Sequence, residues 1–387
     1  MGFHLPPGEK FVEVPFEFDN NFIVVSLVLN DVFPLKFLFD TGAENTILVK
    51  KAFTDILNVS YDREFKILGA DRQTELTAYL VRGVQMNMPN LYGPRLDILV
   101  LEKDYFEFEK YVGTKIHGIL GMDLFKTFTI EVDYQRQVLT FYRIENFKLP
   151  NRKFKKIKAD VHRNKPYIRA NINIRATEDR EVKLLLDTGA SLALLLDHAT
   201  VANDSMPTKL IPGEIGNGLG GRIEGYVGRV NRLAFDDFDF NSVITNFQLE
   251  DSLHAQAPDF NRNGIIGNEL LSRFRVIFDL TRETVYFNPI KKYNRRFRYD
   301  RSGITLIAEG NALNIYRIKE LVPGSPAAEA GARVGDIVRR VNGIPAPFFD
   351  LPQLTRNFQK RPGKLMKLVL EREGRRFQVR FRLRDLI

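Results

Sequence analysis

The chain spells one folding unit twice. "FLFDTGAENT", Phe37 to Thr46, is echoed by "LLLDTGASLALLL", Leu184 to Leu196, with Asp187 standing 147 residues after Asp40. The echo continues: "GILGMDLFKTFTIEVDYQRQVLTFY" from Gly118 matches "GIIGNELLSRFRVIFDLTRETVYFN" from Gly264. Gly118 follows Asp40 by 78 positions and Gly264 follows Asp187 by 77, so the copies keep register. A repeat of this length predicts two like lobes, over residues 10–150 and 151–292. Each lobe reads as a strand, Asp-Thr-Gly, an intervening β region, Gly-apolar-apolar-Gly with a short helix, and a hairpin through Asp133 or Asp279.

The fold class expected is mostly β. Phe (31) and Tyr (13) join many Val and Ile in short or alternating runs bounded by Gly, Asn and Asp, the pattern of strands. The net charge of +9 collects in "KKYNRRFRYDR" from Lys291 and in the tail "EREGRRFQVRFRLR". These read as a solvated linker and a solvated strand face, not as a nucleic-acid surface. With no cysteine, disulfides, a thiol nucleophile and a Cys-ligated zinc site are ruled out. No apolar run reaches the length of a membrane span, and "MGFHLPPGEK" lacks the basic start and apolar middle of a signal peptide.

An acid run straight out of an apolar strand must be exposed, neutralised or kept for chemistry, because burying an unpaired charge is costly. Two such acids, one per lobe, suggest a two-fold axis that brings them face to face, where like charges share one proton. Gly42 and Gly189 permit close backbone approach, and Thr41 and Thr188 supply hydroxyls to lock the turns. On these residues the chain resembles the aspartic proteases, through D-T-G-A twice (Asp40 to Ala43, Asp187 to Ala190) and the Gly118–Gly121 and Gly264–Gly267 elements. In that family the second element forms a ψ loop beside the catalytic turn. The lobes look like two retroviral-type protease subunits fused in one chain, which implies a complete monomer.

The resemblance implies that Asp40 and Asp187 are the catalytic dyad, acting on a water with no metal and no organic cofactor, while Thr41 and Thr188 cross-brace the turns. It also implies glycine-rich flaps over an extended peptide or protein substrate. Gly69 and Gly216 lie equally far past their aspartates, which marks Gly69, Ala70 and Asp71 as the first flap and Gly216, Gly218 and Gly220 as the second. Ala43 and Ala190 stand where pepsin-like enzymes often carry a hydroxyl donor to the carboxylate. The expected dyad is therefore less acidic, with a mildly acid optimum.

Other motifs are weaker. "GNGLGG", Gly216 to Gly221, fits a dinucleotide fingerprint but precedes an alternating, strand-like run. "DFNRNGIIGNEL" starts like a calcium loop, with Asp259, Asn261 and Asn263, yet its twelfth residue is Leu270. The histidines His4, His117, His162, His198 and His254 show no zinc-ligand spacing, and His117 reads as a packed or exposed neighbour of the ψ loop. Asp133 and Asp279 read as hairpin residues, and Asp123 and Glu269 as first-turn acids favoured by helix dipoles.

After a basic linker, 293–301, "VPGSPAAEAGARVGDIVRRVNG" resembles the PDZ domains of bacterial envelope proteases, over residues 302–387. The resemblance implies a carboxylate-binding loop at Ser302, Gly303, Ile304 and Thr305, with N–H groups near Gly303 and Ile304 free to take the C-terminal tail of a substrate or partner. "LPQLTRNFQ" would be the helix beside that groove. Location in a periplasm or cell envelope follows from the same resemblance, and the residues themselves leave the cytoplasm open. A silent peptide receptor or an envelope scaffold on the same lobes is the alternative to an endopeptidase.

Overall fold

A computed structural model describes residues 2–57, 59–68, 75–175, 178–201, 206–218, 221–248 and 262–387. The expected class holds: mostly β, in two pseudo-symmetric lobes followed by a smaller C-terminal domain. Each lobe is an eight-stranded sheet with the same strand order. In the first, strand Phe33–Phe39 pairs in parallel with Gly118–Leu120, which pairs antiparallel with Ile47–Leu48. In the second, Arg180–Leu186, Gly264–Ile266 and Leu194–Leu196 repeat that arrangement. The apolar runs that lead into Asp40 and Asp187 are central strands buried at their ends, which is why they read as near-continuous hydrophobic segments.

A third sheet joins the lobes. Strand Phe128–Asp133 of the first pairs antiparallel with Phe274–Asp279 of the second, with Glu131 opposite Ile277. Those two residues are also repeat mates, so the pseudo-two-fold axis passes through their pair. Glu131 is 1% exposed there and is held by Arg275 across the lobe boundary and by the Tyr142 hydroxyl at 3.0 Å. One continuous apolar core runs through both lobes, whereas the C-terminal domain has its own core around Leu354, Phe358 and Leu368. In the first lobe Phe39 meets Phe125 edge-on at 5.5 Å, and Phe125 stacks on Phe141 at 5.2 Å. These rings fix the strand that delivers Asp40.

The C-terminal domain is a β sheet with strand Ile304–Glu309 at its edge and helix Leu351–Phe358 packed beside it. Asp350 caps that helix in a reciprocal box with Gln353. No described helix is long and apolar enough to cross a membrane.

Candidate active site

Both aspartates stand at the C-terminal ends of their strands, and each has its N–H pinned by a carbonyl of the neighbouring ψ strand. Asp40 N donates to Leu120 O at 3.0 Å, and Asp187 N to Ile266 O at 3.0 Å. The ψ strands are held in turn by mates of different chemistry. His117 Nδ1 accepts from Lys36 N at 2.9 Å, and Asn263 Oδ1 accepts from Lys183 N at 2.8 Å. His117 is thus packed into the ψ loop, edge-on to Phe53, and burial holds its pKa below the usual range.

The turns then interlock across the axis. Thr41 Oγ1 donates to Leu186 O (2.8 Å) and accepts from Thr188 N (3.0 Å). Thr188 Oγ1 donates to Phe39 O (2.8 Å) and accepts from Thr41 N (3.0 Å). Both threonines are essentially inaccessible to solvent. Outside this knot, hairpin residue Asn21 donates to Ser191 O at 3.0 Å, and Arg163 of the equivalent hairpin lies 3.8 Å from Glu44, the repeat mate of Ser191.

Asp40 and Asp187 face each other across the axis, each carboxyl packed against the glycine that follows its counterpart. Gly42 and Gly189 back the opposite carboxyl so closely that a Cβ would lie 2.5 Å from Asp187 Cγ and 2.2 Å from Asp40 Cγ. Only glycine fits behind such a pair. Asp40 Oδ1 accepts from Gly42 N (2.7 Å) and Ala43 N (3.0 Å), and Asp187 Oδ1 from Gly189 N (2.7 Å). Burial, then repulsion from Asp187, holds the Asp40 carboxyl well above the usual range. Burial raises Asp187 as well, but the hydrogen bond from Asp40, the Gly189 N–H and the charges of Arg262 and Lys165 oppose the rise. Both carboxyls are thus raised, Asp40 the more strongly, as expected of like charges held together.

Sequence reasoning did not single out Lys165, Arg262, Asn268 or Tyr134. The Lys165 ammonium, its pKa lowered by burial, lies in the field of both aspartates. Asn268 donates to Thr188 O at 2.5 Å and accepts from the buried Tyr134 hydroxyl at 2.6 Å, tying the Asp187 turn to the opposite lobe. Its repeat mate is Met122, so this tie exists on one side only. The one available signal was that mismatch between otherwise matching copies.

Of the flap residues, Gly69, Ala70, Asp71 and Gly220 lie outside the described residues. Gly216 and Gly218 belong to strand Ile211–Gly218, which forms a hairpin with Gly221–Phe235. The equivalent first-lobe hairpin is Tyr61–Leu68 with Glu75–Met88. The described residues of "GNGLGG", 216–218 and Gly221, thus lie in the two paired strands of this hairpin. Of the calcium-like loop, Asp259 and Asn261 lie outside the described residues, as does His254. Among the described residues no cluster of three His, Asp or Glu could hold a metal ion. Asp133 caps its hairpin through the N–H groups of Gln135 and Arg136, both at 3.0 Å. Glu269 is in the first turn of the short helix Asn268–Leu271, but what it faces is Arg273 and Arg229.

The loop at Ser302 needs correction. Its N–H groups are not free for a peptide terminus. Gly303 N donates to Asp300 Oδ1 at 2.5 Å, Ser302 N to the same oxygen at 2.9 Å, and Ile304 N to Ser302 Oγ at 3.1 Å. Asp300, two residues before the stretch singled out from sequence, occupies the position expected of a ligand carboxylate. Gly303 holds a left-handed φ of +83°, and Thr305 is exposed on the strand that follows. First-lobe helix Phe108–Val112 packs against that strand, and Gly113 abuts Leu351.

Residues 25–124 match the family model for an aspartyl protease, and residues 317–372 that for a PDZ domain. No curated protein matches the chain. The chain accordingly carries an aspartyl protease domain and a C-terminal PDZ domain. The second lobe lies outside both matches, and its likeness to the first rests on the repeat and the strand registers.

Proposed function

We propose that the aspartyl protease domain is an endopeptidase whose catalytic groups are Asp40 and Asp187, one from each duplicated, retroviral-type lobe. The observation that carries this reading is the facing pair of carboxyls, each packed against the opposite lobe's glycine and braced by reciprocal threonine bonds across the axis. A water held between the carboxyls loses a proton to ionised Asp187 as its oxygen attacks the scissile carbonyl carbon. Asp40, protonated, donates to the carbonyl oxygen as charge develops there. Collapse of the tetrahedral adduct breaks the C–N bond: a hydroxyl proton of the adduct returns to Asp40 as the carbonyl re-forms, and the proton held by Asp187 passes to the leaving amine. No acyl-enzyme forms. The hairpins Tyr61–Leu68/Glu75–Met88 and Ile211–Gly218/Gly221–Phe235 serve as flaps on an extended peptide.

The test is cleavage of a peptide library by the full chain, with Asp40→Asn and Asp187→Asn as controls. We expect internal cleavage abolished by either change. Cleavage that survives both would remove the dyad from the mechanism. On the resemblance to PDZ-bearing envelope proteases, we further propose that it works in a periplasm or cell envelope on protein substrates, with the fused lobes active as a monomer.

A further inference from the structure

The basic linker is not simply solvated. Phe297 is buried, and Tyr293 packs on Phe240 at 5.1 Å and Phe274 at 5.4 Å, so the linker is anchored to the second lobe. The arginines between and beside these rings border a cavity of about 1390 Å³. Its walls are the second lobe, the linker, the first-lobe hairpin at Asn20 and Asn21, and PDZ helix residues Pro352, Thr355, Arg356 and Gln359. Nine Lys and Arg side chains line it, against two acidic side chains, Glu269 and Asp385. Among the described residues, the one ion pair made by any of these cations is Arg301 with Asp385, at 2.5 Å.

The inner wall is the most demanding part. Arg273 is 6% exposed, its guanidinium lies 3.6 Å from the centre of the Phe297 ring, and one terminal nitrogen donates to the carbonyls of Tyr293 and Arg295. Its Nε–H is buried with no acceptor. Arg229 beside it donates to Ser242 O at 2.7 Å and Phe297 O at 3.3 Å. The acid both face, Glu269, is pushed up to about 7 by burial, so near neutral pH it offsets only part of one charge. An orphaned buried donor among like charges is costly unless an anion completes it.

We propose that this interdomain cavity binds a compact multivalent oxyanion: phosphate groups clustered on a small molecule or on a lipid headgroup. Arginine forks match phosphate oxygens in pairs, and the deepest donors converge on one wall. That geometry suits dense charge better than an extended acidic peptide. The site is separate from the aspartate pair and does not depend on the protease reading.

The probe is inorganic tripolyphosphate, titrated calorimetrically into the full chain at constant ionic strength. We expect saturable binding, weakened about tenfold or more by the double change Arg295→Ala/Arg296→Ala, a loss near 1.4 kcal/mol. Arg273→Lys, which keeps the charge but loses the fork, should weaken it similarly. Arg375→Ala/Arg380→Ala, removing equal charge from the exposed face of the PDZ tail strand, should leave affinity unchanged. Thermal midpoints without ligand check folding, and because Arg295 and Arg296 are exposed their variant keeps the test alive if Arg273→Lys unfolds. Vesicles containing a phosphoinositide, compared with phosphatidylcholine alone, assign the source: tripolyphosphate-competed capture on the former indicates a headgroup, binding of soluble phosphate alone a free metabolite. No saturable binding, equal binding of oligoglutamate at matched charge, or equal losses in the tail-strand control would overturn the proposal.

Discussion

Thr41 and Thr188 show how two residues can join two lobes. Each hydroxyl donates to one carbonyl and accepts one N–H of the opposite lobe, and all four groups are shut away from water. Thr41→Val keeps the shape but orphans Thr188 N–H and Leu186 C=O, so we expect a loss of about 2 kcal/mol in urea unfolding. The double change with Thr188→Val should cost less than the sum of the singles, because the two hydroxyls serve one knot. The carboxyls beside them set the pH dependence. For a pair sharing one proton, activity rises as the first group ionises and is lost as pH climbs through the raised pKa of the second. Burial and mutual repulsion raise Asp40, which moves the alkaline limb upward and agrees in direction with a mildly acid optimum. Lys165 pulls Asp187 down, so Lys165→Met should raise the pKa of Asp187 and shift the acid limb of kcat/KM to higher pH. An unmoved acid limb would mean that Lys165 does not act on the dyad.

At the scale of elements, the strand-turn units were legible and the PDZ loop was not. The turns could be read because their chemistry is local and written twice: an apolar strand, an acid, a hydroxyl, a glycine. The C-terminal loop misled because the residue that decides its state, Asp300, belongs to the linker by composition and to the loop only in space. Burial pushes Asp300 up to about 7. Above its usual value near 4 the folded protein therefore retains a proton that the unfolded chain releases, and stability contributed at this site falls as pH rises from about 4 to 7. Asp300→Ala should flatten that slope in thermal unfolding. It should also free the N–H groups of Ser302 and Gly303, raising affinity for a peptide with an apolar C-terminus, measured by fluorescence anisotropy, by about tenfold. Unchanged affinity would point to helix Phe108–Val112, packed on the edge strand, as the element that closes the groove. The Tyr134–Asn268 tie, Lys165 and Arg262 escaped detection for a related reason. They are departures from the repeat, and a departure gains meaning only once the axis sets each residue beside its neighbours.

On the scale of the whole molecule, the PDZ domain touches both lobes, and it meets the second through one of the hairpins proposed as flaps. Glu214, on strand Ile211–Gly218, sits where three units join. Its carboxylate accepts from the Tyr111 hydroxyl of the first lobe at 3.1 Å and lies 3.8 Å from Lys319 Nζ of the PDZ domain, and its N–H donates to Glu320 at 3.2 Å. Lys319 and Glu214 are 17% and 10% exposed, so the pair is screened far less than a surface salt bridge. Removing the ammonium takes one cation away from Glu214, beside Glu320, at this three-way junction, which should loosen the hairpin while leaving the aspartates untouched. Lys319→Ala is therefore expected to raise KM for a peptide substrate several-fold, about 1 kcal/mol of lost binding, with the pH limbs of kcat/KM unmoved. Faster amide hydrogen exchange across 211–218 should accompany it. If KM rises without faster exchange, the lysine contacts substrate itself. If neither changes, the PDZ domain is coupled to the protease by linkage alone.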